Sequence, residues 1–372
     1  RQPRYPLAGW LHIVVFFGFL VLAIRSLTLL GEGFVTGFTL PGFGGTLGAV
    51  YASLKDWTAL LVMVAIVILA WRRLVVRPAR YHDRTATRSH GHEAYIVLGL
   101  IAVLLLADAL YEGTELEAGT LALPLASLGR RIVAPLSEAT QGTLHLLAFW
   151  VHNIALLAFL CYLPLSKHFH VITALPNTYL SKLDPFGRVK PPRYDVEHLD
   201  DIESLGVGKL EDFTWKHLLD AYSCTDCGRC SDQCPAYNTG TPLSPRMISI
   251  KTRDEAYEAW PVFGAGPDPA SRPKLVGDLI KDEEIWACTT CGACEETCPV
   301  LIEYIDKIVD MRRHLVEEGR VPKTLQKALA DVEKKKNPYG KMPRKRADWI
   351  KADEGETDVT VEVLKKGASC QD

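Results

Sequence analysis

An excess of charge of either sign is missing from this sequence: 42 Lys and Arg stand against 44 Asp and Glu, a net of −2 over 372 residues. That balance argues against a chain built to hold nucleic acid through its phosphates. A P-loop and a dinucleotide-binding glycine fingerprint are also missing, so no nucleotide chemistry of those kinds is expected. No nucleophile–base pair is recognisable, which leaves no basis for hydrolytic catalysis. The chain has no initiator Met and no secretory signal with a cleavage site, and is expected to begin inside a longer sequence. Charge is scarcest locally. Residues 1–180 consist of long apolar runs, whereas 181–372 are charged, proline-containing and rich in cysteine. The length leaves room for two or three domains. A membrane part followed by a soluble part is the organisation this implies.

Four segments reach spanning length, roughly 20 residues for ~30 Å of hydrocarbon: 10–30, 57–76, 94–112 and 143–165. Trp57 and Trp71 stand near the ends of the second, where interfacial aromatics belong. The connection 72–92 carries Arg72, Arg73, Arg77, Arg80, Arg84 and Arg88, whereas 31–56 and 113–142 carry only Lys55, Arg130 and Arg131. The positive-inside rule then places 72–92, the start of the chain and everything after about residue 166 in the cytoplasm. The glycine-rich stretch 31–45 has little charge for a solvated loop; it either folds back against the membrane or is simply irregular.

Imidazoles stand out against this background. The stretch FWVHNIALLAFLCYLPLSKHFHVITALPN, 149–177, carries His152 and His170 eighteen residues apart. That is five helical turns, so both fall on one face about 27 Å apart along an unbroken helix, with Pro164 between them able to kink it. His170 lies near the inner boundary, at the depth of His12 on the first span, and His152 lies in the outer half. Polar residues inside a bilayer are costly and point to function. Two imidazoles facing each other across a bundle suit bis-histidine ligation of a b-type haem. The plainer alternative is interfacial histidines bonded to backbone or water. His152 is a candidate ligand of a second haem, with Met63 or an upstream helix as its partner, or else a histidine bonded inside the bundle or near a quinone. Arg25 and Asp108, near the outer end, would contact haem propionates or a quinone, or snorkel to the interface. His82, His90, His92 and His168 are expected to be solvated or interfacial.

The second half carries CTDCGRCSDQCP and CTTCGACEETCP, two runs of C-x₂-C-x₂-C-x₃-C-P, the pattern of two-cluster bacterial ferredoxins. Three thiolates at this spacing let one tight loop wrap three corners of a [4Fe–4S] cube, while the fourth, turned away by the proline, reaches the other cube. Cys224, Cys227, Cys230 and Cys298 are therefore expected at one cluster, and Cys288, Cys291, Cys294 and Cys234 at the other. Zinc would favour two C-x₂-C pairs, and a reducing cytoplasm argues against disulfides. Cys161, expected to pack, and Cys370 take no part. A helix is expected within SPRMISIKTRDEAYEAWPVF, and another within VLIEYIDKIVDMRRHLVEE, where Ile302, Ile305, Ile308 and Val309 fall on one side. Trp286, beside Cys288, is expected to pack.

The motifs GWLHIVVFFGF and FWVHNIALLAFLCYLPLSKHFHVITALPN resemble the γ-subunit, a cytochrome b, of respiratory nitrate reductase. In that family two histidines on the last helix and two on an earlier one bind two haems. His12, His152 and His170 match three of them, and the fourth position falls near Leu22, which cannot ligate iron. The stretches LEDFTWKHLLDAYSCTDCGRC and EEIWACTTCGACEETCPVLIEYIDKIVDMRRHLV are similar to the iron–sulfur part of heterodisulfide-reductase-like proteins. From residue 5 to 350 the chain resembles their membrane-fused members, among them electron-transfer-flavoprotein:menaquinone oxidoreductases. Such proteins usually have a further span upstream and continue into two cysteine-rich CCG domains.

The expected fold is an all-α membrane bundle of at least four helices, 1–180, a linker, 181–205, a mainly helical two-[4Fe–4S] ferredoxin domain, 206–335, and a linker or tail, 336–372. The resemblance implies electron transfer in a bacterial or archaeal cytoplasmic membrane, with the iron–sulfur domain on the cytoplasmic side. Electrons would pass between electron-transfer flavoprotein, or another cytoplasmic redox protein, and menaquinone or another quinone, through two clusters and one or two b haems. The alternatives are the reverse flow, from quinol to a cytoplasmic disulfide or sulfur-relay partner, and a non-catalytic wire and anchor among further subunits of a larger complex.

Overall fold

A computed structural model of the chain describes residues 6–77, 91–116, 123–186, 188–191 and 204–342, together with Lys345 and Asp348. His82, His90, Arg80, Arg84, Arg88, most of the linker after residue 191, the tail from 349 and Cys370 lie outside the described residues, as does the side chain of His92.

Four helices among the described residues are long and apolar enough to cross a membrane: α1 (Pro6–Glu32), α2 (Gly45–Trp71), α3 (Gly91–Glu115) and, after the short α4 (Pro124–Val133), α5 (Glu138–Tyr162). Their apolar runs satisfy every interior backbone group within the helix, as hydrocarbon requires. Leu, Val, Ile and Phe face outward, among them Phe16, Phe17, Leu61, Val67, Ile154 and Leu157, all exposed. Small and branched residues face inward. Ala59, Val62 and Ile66 of α2 pack with Leu105 and Ala109 of α3 and Leu125 of α4, and Leu29, Tyr111 and Ala148 join α1, α3 and α5. Gly129 lets α4 lie against the α3 backbone: a Cβ there would stand 2.0 Å from the Ala109 carbonyl oxygen.

The spans alternate in direction. Arg25 near the end of α1 meets Asp108 near the end of α3, and Lys55 near the start of α2 meets both Asp108 and Glu112. At the other end the Arg73 guanidinium lies over the Tyr95 ring near the start of α3. Beyond α5, therefore, the chain emerges at the arginine-rich end.

The structure corrects the picture of His152 and His170 on one helix. α5 stops at Tyr162, two 3-10 turns follow at Leu163–Leu165 and Lys167–Phe169, and a new helix, α6 (His170–Tyr179), starts at His170 itself. Pro164 cannot continue the backbone ladder, and Ser166 is extended between the turns, φ −131° and ψ 169°, its hydroxyl capping His168 N–H. The two imidazoles thus share no helical face. The spans also start earlier than the apolar runs suggest, because α2 begins at Gly45 and takes Lys55 and Asp56 into the bundle.

The remainder is helical, with one isolated bridge, Val276 to Ile280, and no strand among the described residues. It comprises α7 (Trp215–Ser223), α8 (Arg229–Gln233), α9 (Pro235–Asn238), α10 (Pro245–Ala259), α11 (Asp282–Trp286), α12 (Ala293–Glu296), α13 (Tyr304–Glu317) and α14 (Lys323–Lys335). The helices expected around 244–263 and 300–318 are α10 and α13. Ile305 and Ile308 of α13 are buried, while Ile302 is buried just before the helix begins. The core is formed by Leu210, Leu243, Ile248, Leu275, Ile280, Ile285, Met311 and Leu315.

Candidate functional site: two thiol sets, the first seated on α6

Each cysteine run makes the same turn twice over. Asp226 and Gly228 in the first have φ of 53° and 80°, and Thr290 and Gly292 in the second have φ of 53° and 78°. Glycine is the residue that takes this left-handed conformation without strain, and in both runs it directly follows the second cysteine and precedes a short helix, α8 or α12. The two runs are thus one structural unit repeated.

The fold brings the cysteines together in crossed sets. Cys224, Cys227, Cys230 and Cys298 line one small cavity together with Tyr304, and Cys230 lies within Coulombic reach of the other three thiols. Cys294 likewise feels Cys288, Cys234 and Cys291. Burial pushes the Cys224 thiol up to about 12, and Cys230 and Cys294 are also pushed upward by burial. Thiols so dehydrated lose their protons only to a strong cationic partner, as iron ligands do. Two sets of four thiols, most of them buried, on repeated loops, fit two [4Fe–4S] cubes. Several sulfurs already accept hydrogen bonds: Cys230 Sγ from the Tyr304 hydroxyl at 3.4 Å, Cys298 Sγ from Ile302 N–H at 3.4 Å and Cys288 Sγ from Thr290 N–H at 3.3 Å.

The first set sits against α6. Ser223, immediately before Cys224, donates from its hydroxyl to the Thr173 carbonyl at 3.0 Å, and Thr173 donates to the Tyr222 carbonyl at 3.2 Å. Asn177 reaches the Val300 carbonyl at 2.9 Å, two residues beyond Cys298, and accepts from Lys216 at 3.0 Å. His170 is the first residue of that helix and is half-buried, its ring 6.1 Å from that of His168. In the second set Cys291 is exposed, and Arg312 caps the carbonyls of Ile285 and Cys288 while stacking over Trp286. Trp286 donates its indole N–H to the Arg320 carbonyl and packs on the core.

In the bundle, His152 is 3% exposed. Its Nδ1 lies 3.1 Å from the Leu104 carbonyl oxygen, and Nε2 lies 3.2 Å from Ser26 Oγ on α1. A carbonyl can only accept, so the proton belongs on Nδ1 and Nε2 is left with its lone pair directed at α1. A backbone carbonyl orienting Nδ1–H is also how metal-bound imidazoles are commonly held. The site therefore fits a serine-bonded histidine, and with Ser26 displaced its Nε2 would be available to hold a metal. His12 lies on the first turns of α1 with its side chain exposed. Cys161 is exposed at the end of α5.

Residues 220–302 match the family of 4Fe-4S dicluster domains. Over nearly its whole length the chain is similar to curated oxidoreductases. It is 31% identical to the probable iron-sulfur-binding oxidoreductase FadF of Bacillus subtilis, over 97% of this chain and 54% of that protein. It is 29% identical to the EtfAB:quinone oxidoreductase of Syntrophomonas wolfei, over 94% of this chain and 52% of that protein. The dihydromethanophenazine:CoB–CoM heterodisulfide reductase of Methanosarcina mazei includes a polypeptide that is 28% identical over 38% of this chain and 36% of its own length. The chain spans about half the length of the first two relatives. No solved structure matches it.

Away from the dicluster domain, sequence reasoning missed a buried ion network. Arg25 Nε lies 3.0 Å from Asp108 Oδ1, and its Nη2 lies 3.4 Å from Glu112 Oε1. Lys55, 2% exposed, pairs with Glu112 and lies 3.6 Å from Asp108 Oδ2. Arg25 and Asp108 thus face each other rather than the interface. Glu112, one turn after Asp108 on the same face of an apolar helix, was the available signal. Lys55 carried none, because it read as a loop residue.

Proposed function

We propose that the chain is a membrane electron-transfer module linking a cytoplasmic redox donor to a quinone. The observation that carries this reading is the seat of the first thiol set on α6, the helix that opens with His170 at the membrane end of the dicluster domain. On this reading residues 1–180 form the membrane unit, with α6 at its seam, 181–205 the linker, 206–335 the cluster unit and 336–372 the continuation. When bound, two [4Fe–4S] clusters and a b-type haem supply one-electron carriers. The chain's own residues do the rest. Cys224, Cys227, Cys230 and Cys298 hold the cluster beside α6, and Cys288, Cys291, Cys294 and Cys234 hold the one toward solvent, where a donor can approach. His12 and His170 hold a haem near the cluster domain, and His152, oriented by the Leu104 carbonyl, serves a second in the other half of the bundle. Arg72, Arg73 and Arg77 at the cluster-domain end favour the cytoplasm for that side. The name of the Syntrophomonas relative supports electron-transfer flavoprotein as the donor and a quinone, such as menaquinone, as the acceptor.

The test is iron and haem content with optical and EPR spectra of the purified, reduced protein. Two interacting cubanes and low-spin b-haem absorption are expected. His170→Ala should remove haem absorption while leaving the cluster signals intact. A protein with neither a b-haem band nor two clusters would overturn the reading.

A further inference from the structure

The dicluster domain and the bundle meet just beyond the end of α5, and both α6 and α10 leave apolar side chains bare there. α6 has two faces. Thr173 and Asn177, one turn apart, bond to the dicluster domain. Ile172, Leu175 and Tyr179 fall on another face, at helical spacing, and are exposed, Leu175 to 77%. The helix starts within two short turns of a membrane span. Polar contacts on one side and bare apolar side chains on the other are the pattern of a helix lying in a bilayer interface.

The last turns of α10 are fixed at the same place. The Tyr257 hydroxyl donates to the Ser166 carbonyl at 3.0 Å. Its ring stands 5.1 Å from that of Tyr222, which stands 5.7 Å from that of Phe169. Three residues after Tyr257 the helix closes, with the Trp260 N–H on the Ala256 carbonyl at 3.0 Å. The chain then doubles back: a Cβ on Gly266 would stand 2.2 Å from the Ala259 carbonyl oxygen. Between these two points lies a short finger whose Trp260, Val262 and Phe263 are exposed, Phe263 to 80%. Residues 259–266, AWPVFGAG, carry no charge in a half of the chain that is otherwise charged. Two apolar surfaces, from helices far apart in sequence, thus flank one seam. Trp10 on the first turns of α1 and Trp71 at the end of α2 are exposed at this end of the bundle, where interfacial aromatics mark the bilayer surface.

We propose that the finger 260–263 and the bare face of α6 rest in the lipid interface on the arginine-rich side of the bilayer, their rings and aliphatic side chains lying between headgroups and acyl chains. Contiguous exposed apolar residues mark a contact surface, and continuity with the membrane spans through Ser166 makes lipid the occupant. The dicluster domain is then held to the membrane by its own surface as well as by the chain that joins it to α5. This rests on the reading that the four apolar helices cross a bilayer, and it adds a lipid contact made by the domain that carries the thiol sets.

The experiment is photo-crosslinking of the full chain in vesicles of phosphatidylethanolamine and phosphatidylglycerol, with adducts read by mass spectrometry. Benzoylphenylalanine replaces Phe263, Leu175, Leu157 or Leu329, one at a time. All four side chains are exposed, so the fold is kept, and iron content equal to that of the wild type checks it. Where a variant loses iron, Val262 takes the place of Phe263 and Ile172 that of Leu175. Leu157 on α5 is the lipid-facing control, and Leu329 on α14 stands outside both surfaces. Lipid adducts at 263 and 175 are expected at a yield close to that at 157 and well above that at 329. The inference is overturned if either position gives lipid adducts no more often than 329, or cross-links instead to protein, which would make the surface an interface with a second copy or another subunit. Absence of lipid adducts at 157 would instead overturn the reading of the four helices as membrane spans.

Discussion

Lys55 shows how little a single charge means until its partners are known. Two cations, Arg25 and Lys55, and two anions, Asp108 and Glu112, meet where three apolar helices converge. The quartet is neutral as a whole, so each member is tolerable only because the others are present. Lys55→Met leaves two carboxylates to one guanidinium, and removing one partner of a buried pair costs ~3–5 kcal/mol. Combining it with Glu112→Gln restores neutrality and should recover much of the loss, because the two sites interact directly and their effects are not additive. Thermal unfolding in detergent measures both variants. A single variant as stable as the wild type, or a double variant no better than the single, would show that the quartet is not a balanced unit.

Elements hold one another by similar long reaches. Asp56 of α2 accepts from the first amides of α4, Leu125 N–H at 2.7 Å and Ala126 N–H at 3.0 Å, and so caps a helix 69 residues away in sequence. Asp56→Ala leaves both amides buried and unpaired. The expected cost is about 2 kcal/mol, the upper end for a lost cap. Hydrogen exchange should report it as faster exchange through 125–133 with the middle of α3 unchanged; uniform loosening of the bundle would refute so local a role. The same residues explain what the sequence concealed. The four spans were legible because hydrocarbon imposes length and apolarity whatever the partner. The start of α2 was not, because Lys55 and Asp56 look like loop residues until α3 and α4 neutralise them. The break between α5 and α6 was half legible: Pro164 is plain, but whether it bends or ends the helix depends on Ser166 and on α6 docking to the dicluster domain through Thr173 and Asn177. The crossing of the thiols was expected from the C-x₂-C-x₂-C-x₃-C-P spacing, whereas the left-handed turns at Gly228 and Gly292 that repeat the loop were not read from it. The wall of the first set was not legible, since α10, which carries no motif, supplies Arg246 to it.

The molecule is joined into one body by charge as well as by packing. After α6 the chain runs along α13, and its two lysines meet buried carboxylates: Lys182 N–H donates to Glu303 at 3.0 Å, Lys182 Nζ lies 3.1 Å from Asp306, and Lys190 Nζ lies 2.5 Å from Glu303. Burial alone would raise the pKa of Glu303, but the Lys190 ammonium, Lys216 and the Lys182 amide outweigh it and hold Glu303 below the usual carboxylate range. Burial likewise works against the charge of Lys182, yet Glu295 and Asp306 overcome it and raise its pKa above the usual lysine value. The two shifts bound a window. A carboxylate with a depressed folded pKa contributes stability above its unfolded pKa and loses it as pH falls through the folded one. An ammonium with a raised folded pKa contributes below its unfolded pKa and loses it as pH rises through the folded one. Docking of the linker on α13 should therefore be strongest from roughly pH 5 to 10, between ordinary carboxylate and lysine values, and weaken on both sides. Limited proteolysis between residues 181 and 205 across that range measures it. Glu303→Gln should flatten the acid limb alone, because the Lys182–Asp306 contact survives. Cleavage that is equally fast at pH 7 and pH 4 in the wild type would show that these charges do not hold the two halves together.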